Sequence, residues 1–141
     1  MKKVIFTAVA ACFSLVSSAQ MNDEKAIEVV IHSFAEAGDQ QNVEALSDCL
    51  DESYRIVMNQ LFGSKEVSVM AREVYLQKIK AKEFGGDSRN TEVETILVNG
   101  NTASAKVIFK GKQMTFVSII GLVKNAKGDW KMVSEVPVIQ G

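Results

Sequence analysis

TEVETILVNGNTASAKVIFKGKQMTFVSIIGLVKNAKGDWKMVSEVP, residues 91–137, decides the fold. It reads as four short strands joined by tight turns. Asn99-Gly100 is a strong hairpin signal, because glycine reaches the positive φ that a tight turn between twisted strands requires. Ala103, Ala105, Val107 and Phe109 recur with period two and define one face of the following strand. Gly111-Lys112 turns the chain. Met114 to Val123 is apolar on both faces, which fits a strand covered on both sides, or with one face in the core and one in an interface. Asn125 to Gly128 forms the last turn. Trp130, Met132, Ser134 and Val136 then alternate with Lys131, Val133 and Glu135. Pro137 has no amide hydrogen and ends the regular ladder.

The half that precedes this meander is mostly helical. Asn22 or Asp23 is placed to cap a first helix, with Glu24 in its first turn. Ala26, Ile27, Val30, Ile31 and Phe34 recur at helical spacing and mark its buried face. Ala37-Gly38-Asp39 is expected to end it, with glycine in the left-handed cap conformation. Asn42 caps a shorter helix that turns Val43, Leu46 and Leu50 inward. Tyr54 to Phe62 reads as a strand, Gly63-Ser64 as its turn and Glu66 to Met70 as a return strand. A third helix, from about Ala71 to Lys82, buries Val74, Tyr75 and Ile79 and stops at Phe84-Gly85-Gly86-Asp87. The resulting class is α+β.

The N-terminus carries a different message. Lys2 and Lys3 precede an apolar run from Val4 to Val16, too short to span a bilayer, and Ser17-Ser18-Ala19 offers small residues for cleavage. Residues 1–19 are therefore expected to be a signal peptide and residues 20–141 one exported domain, periplasmic or secreted and without a stable membrane anchor. Val9-Ala10-Ala11-Cys12 resembles a lipidation box, but hydrophobicity continues past it through Phe13 to Val16. Loss of Cys12 leaves Cys49 alone, so no internal disulfide is possible. With 141 residues and a formal net charge of −1, the chain supports one core and shows no basic stripe for nucleic acid.

At this point the order of elements resembles the nuclear transport factor 2-like superfamily. The resemblance is carried by the first helix closing on Ala37-Gly38-Asp39, the short helix Val43 to Leu50, and Gly128-Asp129-Trp130-Lys131-Met132-Val133-Ser134. Arg72-Glu73-Val74-Tyr75-Leu76, Phe84-Gly85-Gly86-Asp87 and Phe109-Lys110-Gly111-Lys112 make it most like the putative lumazine-binding protein group. The resemblance implies a cone-shaped curved antiparallel sheet wrapped by three helices, an internal cavity, and often a dimer through the outer sheet face. Steroid-isomerase-like members carry a tyrosine and an aspartate base. The equivalent positions fall near Ile31 and within Ile56, Val57 and Met58, so neither role is filled. Dehydratase-like members use a histidine and aspartate pair, but His32 lies off the buried helix face. Fold alone assigns no activity.

Chemistry-bearing residues are few. His32 lies at helical spacing from Glu28 and Glu36, which predicts a surface ion pair. One histidine and one cysteine make no zinc site, and no cofactor is implied. Cys49 reads as a buried thiol rather than a nucleophile. Tyr54, Met58, Tyr75, Phe109, Phe116, Ser118, Trp130 and Met132 are the candidate lining of a ligand pocket, although Phe62, Phe109, Met114, Phe116, Trp130 and Met132 also serve as plain core. Glu135 is the one weak catalytic candidate, since a carboxyl facing an apolar cavity has a raised pKa. Strand alternation, however, places it outward beside Lys131. The expected function is thus a non-catalytic pocket for a small apolar or aromatic ligand. The alternatives are an isomerase- or hydrolase-type enzyme using Glu135 with Tyr54 or Tyr75, and an interaction module. Val117, Ile119 and Val123 on one strand face are expected to form a homodimer.

Overall fold

The computed structural model describes residues 7–140, with side chains from Ser18 onward. Lys2 and Lys3 lie outside the described residues. The elements run α1 (Thr7–Asp39), α2 (Val43–Cys49), β1 (Leu50–Asn59), β2 (Val67–Ala71), α3 (Arg72–Lys80), β3 (Asn90–Asn99), β4 (Thr102–Lys110), β5 (Thr115–Lys124) and β6 (Trp130–Gln140). The six strands form one curved, unclosed sheet in the order β2-β1-β6-β5-β4-β3. The C-terminal meander is antiparallel throughout, and β1 joins it through a parallel pairing with β6. The helices cover the inner face. Ile27, Ile31 and Phe34 of α1, Leu46 of α2, and Tyr75 and Ile79 of α3 are all buried against it.

Against expectation, Val74 of α3 is exposed and β6 continues past Pro137 to Gln140. Three further local expectations are corrected. Helix α1 does not begin at Asn22 or Asp23 but runs through them without a break. No proline or glycine interrupts residues 7–37, so nothing stops the helix there. Asp23 is freed from capping. It accepts a hydrogen bond from Trp130 Nε1 at 3.0 Å and pairs with Lys124 Nζ at 2.7 Å, which ties α1 to the β5–β6 hairpin. These two donors hold its carboxyl below the usual aspartate range, Lys124 more than Trp130. At the other end, the left-handed residue is Gln41, with φ 53°, rather than Gly38. The glycine that the contact there requires is Gly85: the Gly38 carbonyl accepts from Gly86 N, and a Cβ on Gly85 would lie 2.3 Å from that same oxygen. The Asn42 cap forms as expected, its Oδ1 accepting from Ala45 N.

The third correction matters most. β6 starts with Trp130 and Met132 inward, as alternation predicts. Its register against β5 then slips, from Leu122 opposite Met132 to Gly121 opposite Ser134, so Val133 is an extra residue. Such a bulge exchanges the two faces of a strand from that point on. Glu135 and Pro137 therefore face the core, and Val136 and Val138 face out. Gly121 accommodates the bulge, because a Cβ there would come within 2.5 Å of Ser134 Oγ.

Candidate functional site

The bulge carries a carboxyl group into the middle of the inner face. Glu135 is 8 % exposed. Tyr54 Oη donates to its Oε2 at 3.0 Å and Ser118 Oγ to its Oε1 at 2.7 Å. Each partner is placed by its strand. Tyr54 and Ile56 are the inward residues of β1, and Ile56 lies beside Glu135 in the sheet. Ser118, Ile120 and Leu122 are the inward residues of β5, and Ile120 lies opposite Glu135. Ser118 thus reaches Glu135 diagonally across one pleat. The expected pairing with Lys131 is not formed. Lys131 Nζ instead donates to the Asp48 carbonyl on α2.

Around this triad the wall is aromatic. Tyr75 packs on Tyr54 with ring centres 5.9 Å apart, and on Phe34 at 6.3 Å. Phe34 in turn meets Phe109 at 6.1 Å. Burial raises the pKa of Glu135, offset in part by hydrogen bonds from Ser118 and Tyr54 and by the positive charge of Arg89. Burial also pushes the Tyr54 and Tyr75 hydroxyls up, with Glu135 adding to both. Each of the three shifts is toward the proton-bearing form.

Of the eight residues expected to line a pocket, Tyr54, Tyr75 and Ser118 meet at the triad directly or through ring contact. Phe109 lies one ring further out, behind Phe34. Met58 and Phe116 are half-buried and lie one pleat beyond Ile56 and Ser118 on the same face, at the rim of the cone. Trp130 and Met132 are buried at the opposite end of β6, where Trp130 is held by Asp23. They belong to the part of the core under α1. Cys49 is buried with its thiol pKa raised by that burial, as a structural thiol should be. His32 is exposed and forms no ion pair among the described residues. Glu36 is engaged instead by Gln40 Nε2 at 3.1 Å.

Like Asp23 with Lys124, a second charged pair was not legible in the sequence. Arg89 Nε donates to Asp39 Oδ1 at 2.6 Å, Arg89 N to Asp39 Oδ2 at 2.9 Å, and Nη2 to the Ala35 carbonyl at 3.0 Å. The guanidinium lies 4.9 Å above the Phe109 ring. No local pattern relates residues 50 positions apart. Among the described residues, two of the clefts at the surface are lined by no triad residue. One, of about 550 Å³, lies between the end of α1 and the start of β3; the other, of about 510 Å³, lies between α1, α2 and the β5–β6 turn.

Comparison with known proteins follows the same lines. The family model described as "Putative lumazine-binding" matches residues 22–136. The chain belongs to this family. No curated relative matches it. The fold of this member of the lumazine-binding family is similar to that of an NTF2-like protein of unknown function from Shewanella baltica OS155. That likeness has a TM-score of 0.74 at 16 % identity and covers 86 % of this chain and 96 % of the other. An NTF2-like protein of unknown function from Silicibacter pomeroyi DSS-3 gives the same score and identity, covering 86 % and 98 %. A ketosteroid isomerase-like protein from Erwinia carotovora atroseptica SCRI1043 has a TM-score of 0.64 at 12 % identity and covers 83 % and 95 %. Identities this low speak for shared fold alone. In this family member, Ile31 and Ile56, near the positions where the isomerase resemblance would place a tyrosine and an aspartate, are buried and apolar.

Proposed function

We propose that the protein is an exported, non-catalytic binder of a small apolar or aromatic molecule, which it holds on the inner sheet face against Glu135. The observation that carries this reading is the buried carboxyl itself. An ionised carboxylate has about four acceptor positions, of which Tyr54 and Ser118 use two. A ligand with an N–H or O–H edge on an otherwise apolar body matches the remaining capacity and the aromatic wall. Half-buried Met58, Met70, Phe84 and Phe116 supply an apolar rim for its approach. Export rests on the signal-like residues 1–19. Removal of that segment leaves Asp23 and its two partners in the mature chain.

Native mass spectrometry of the protein purified from its own compartment tests the reading. The wild type should retain a small molecule and Glu135→Gln should lose most of it, because an amide accepts more weakly than a carboxylate. Equal retention by both would exclude Glu135 as the recognition group. A second reading, proton-transfer catalysis, is favoured by one observation. A carboxyl with a raised pKa works closer to neutral pH as an acid or base. Exchange of a ligand C–H for deuterium, catalysed by wild type and lost in Glu135→Gln, would put this second reading first.

The outer sheet face is proposed as a homodimer interface. Val136 and Val138 join Ile119, Val117 and the β2 residues Val67 and Val69 in an apolar surface across neighbouring strands. Ile119 alone is 50 % exposed. Exposed apolar faces of this kind mark association sites. Ile119→Lys should sediment as a monomer where the wild type sediments as a dimer. A monomeric wild type would end the proposal.

A further inference from the structure

The groups at the proposed inner-face site are closed off from solvent. Glu135, Tyr54, Tyr75 and Ser118 are each at most 8 % exposed, so a ligand reaches the carboxyl only after a side chain moves. Ring contacts single out which one. Tyr54, bonded to Glu135, packs on Tyr75, and Tyr75 packs on Phe84 with ring centres 6.3 Å apart. Phe34, Tyr54, Tyr75 and Phe109 in this layer are buried, and Phe84 is half-buried. Phe84 is therefore the ring at which solvent meets the aromatic wall. Phe116, the other half-buried aromatic residue at the rim, makes no ring contact with either tyrosine.

Phe84 combines a fixed backbone with a ring that is free to turn. Its amide donates to the Lys78 carbonyl at 3.3 Å, and its own carbonyl accepts from Gln41 Nε2 at 3.0 Å. The next two residues are locked onto the end of α1, where Gly86 N donates to the Gly38 carbonyl at 3.1 Å. The segment is thus pinned and does not swing as a flap. Rotation of the ring about its side-chain bonds breaks none of these hydrogen bonds. Two neighbours set its resting position, the Tyr75 ring and the Lys78 ammonium, which lies 5.3 Å from the Phe84 ring centre. Both stand on α3, three residues apart and so on one side of that helix. Lys78 is itself held by Glu83 Oε2 at 2.8 Å.

We propose that Phe84 is the gate of the inner-face site: its ring turns away from Tyr75 to admit a ligand and closes behind it. The proposal rests on the reading of Glu135 as the recognition group of that site. A gate and a simple contact differ in kinetics. Loss of a contact speeds dissociation alone, whereas loss of a gate speeds association and dissociation together. Stacking on Tyr75 and the cation over the ring together favour the closed position about tenfold.

The chain has two tyrosines, Tyr54 and Tyr75, and both belong to the site, so ring-labelled tyrosine reports on it without interference. The test is an NMR titration of the protein so labelled with indole, a flat apolar ring carrying one N–H, with both rate constants taken from the line shapes. Indole should shift the Tyr75 and Tyr54 ring signals of the wild type. Phe84→Ala should raise both rate constants about tenfold and change affinity less than about threefold. Lys78→Gln removes the cation and keeps a good helix former, so it should fold and raise both rate constants about two- to fivefold. It decides the matter should Phe84→Ala fail to fold. Unchanged rates in these variants, or faster dissociation alone, would overturn the gate. Equal indole affinity in wild type and Glu135→Gln would sink the reading of Glu135, while the Phe84→Ala rates would still judge the gate. Tyrosine signals that indole moves in neither wild type nor Phe84→Ala would overturn both.

Discussion

Glu135→Gln should make the protein more stable at neutral pH, whereas Glu135→Leu should make it much less stable. The sign follows from linkage. Burial raises the folded-state pKa of Glu135 above its unfolded value. Below the unfolded pKa the group is protonated in both states. As pH rises toward the folded pKa, the unfolded chain releases its proton first, and stability falls. Each unit of separation corresponds to about 1.4 kcal/mol. Glutamine carries no proton to lose, so its stability should be flat across that window. Its amide still accepts from one hydroxyl and donates to the other. Leucine offers neither, and leaves Tyr54 and Ser118 unpaired in the core at about 1–3 kcal/mol for each hydroxyl. Urea unfolding of the three proteins between acidic and neutral pH would show the pattern. A wild type whose stability rises with pH relative to that of Glu135→Gln would contradict it.

Phe34→Ala should cost about 3–5 kcal/mol, as for other fully buried aromatic side chains. Phe34 is 2 % exposed and stands between Tyr75 and Phe109, so its ring links the α3 side of the inner face to the β4 side. Apolar cavities of this kind stay dry and accept small aromatic molecules. Indole should therefore raise the melting temperature of Phe34→Ala more than that of the wild type, in a concentration-dependent way. A loss below about 1 kcal/mol would mean that the wall collapses onto the gap and that the aromatic layer is not rigid.

Most of the fold could be read from periodicity and turn residues, because these are local signals. The first three strands of the meander, the Asn99-Gly100 turn and the helix capped by Asn42 lie where spacing puts them, while the fourth strand continues past Pro137, expected to end it, to Gln140. Membership of the family was legible from other segments, Arg72 to Leu76, Phe84 to Asp87 and Phe109 to Lys112. The departures have physical causes. Helix α1 extends backward because no proline or glycine separates the apolar run ending at Val16 from the residues that follow. The Asp39–Arg89 pair is invisible locally because it closes 50 residues of chain. Glu135 was assigned to solvent because alternation was counted straight through Val133. A bulge has little sequence signature of its own, yet one extra residue inverts every assignment after it. The clue available was composition: with Glu135 outward, Val136 and Pro137 fall on faces that make no better core, so alternation alone could not arbitrate.

That single inversion also underlies the proposed function, since it places a carboxyl in an aromatic interior where an amide would be less costly. Titration of the Glu135 side-chain carboxyl carbon by NMR, on the mature protein, tests it most directly. A midpoint clearly above the ordinary glutamate value of about 4.3, absent from the spectrum of Glu135→Gln, is the expected result. A midpoint at or below that value would show a solvated or ion-paired Glu135 and contradict the buried triad on which the proposed binding site rests.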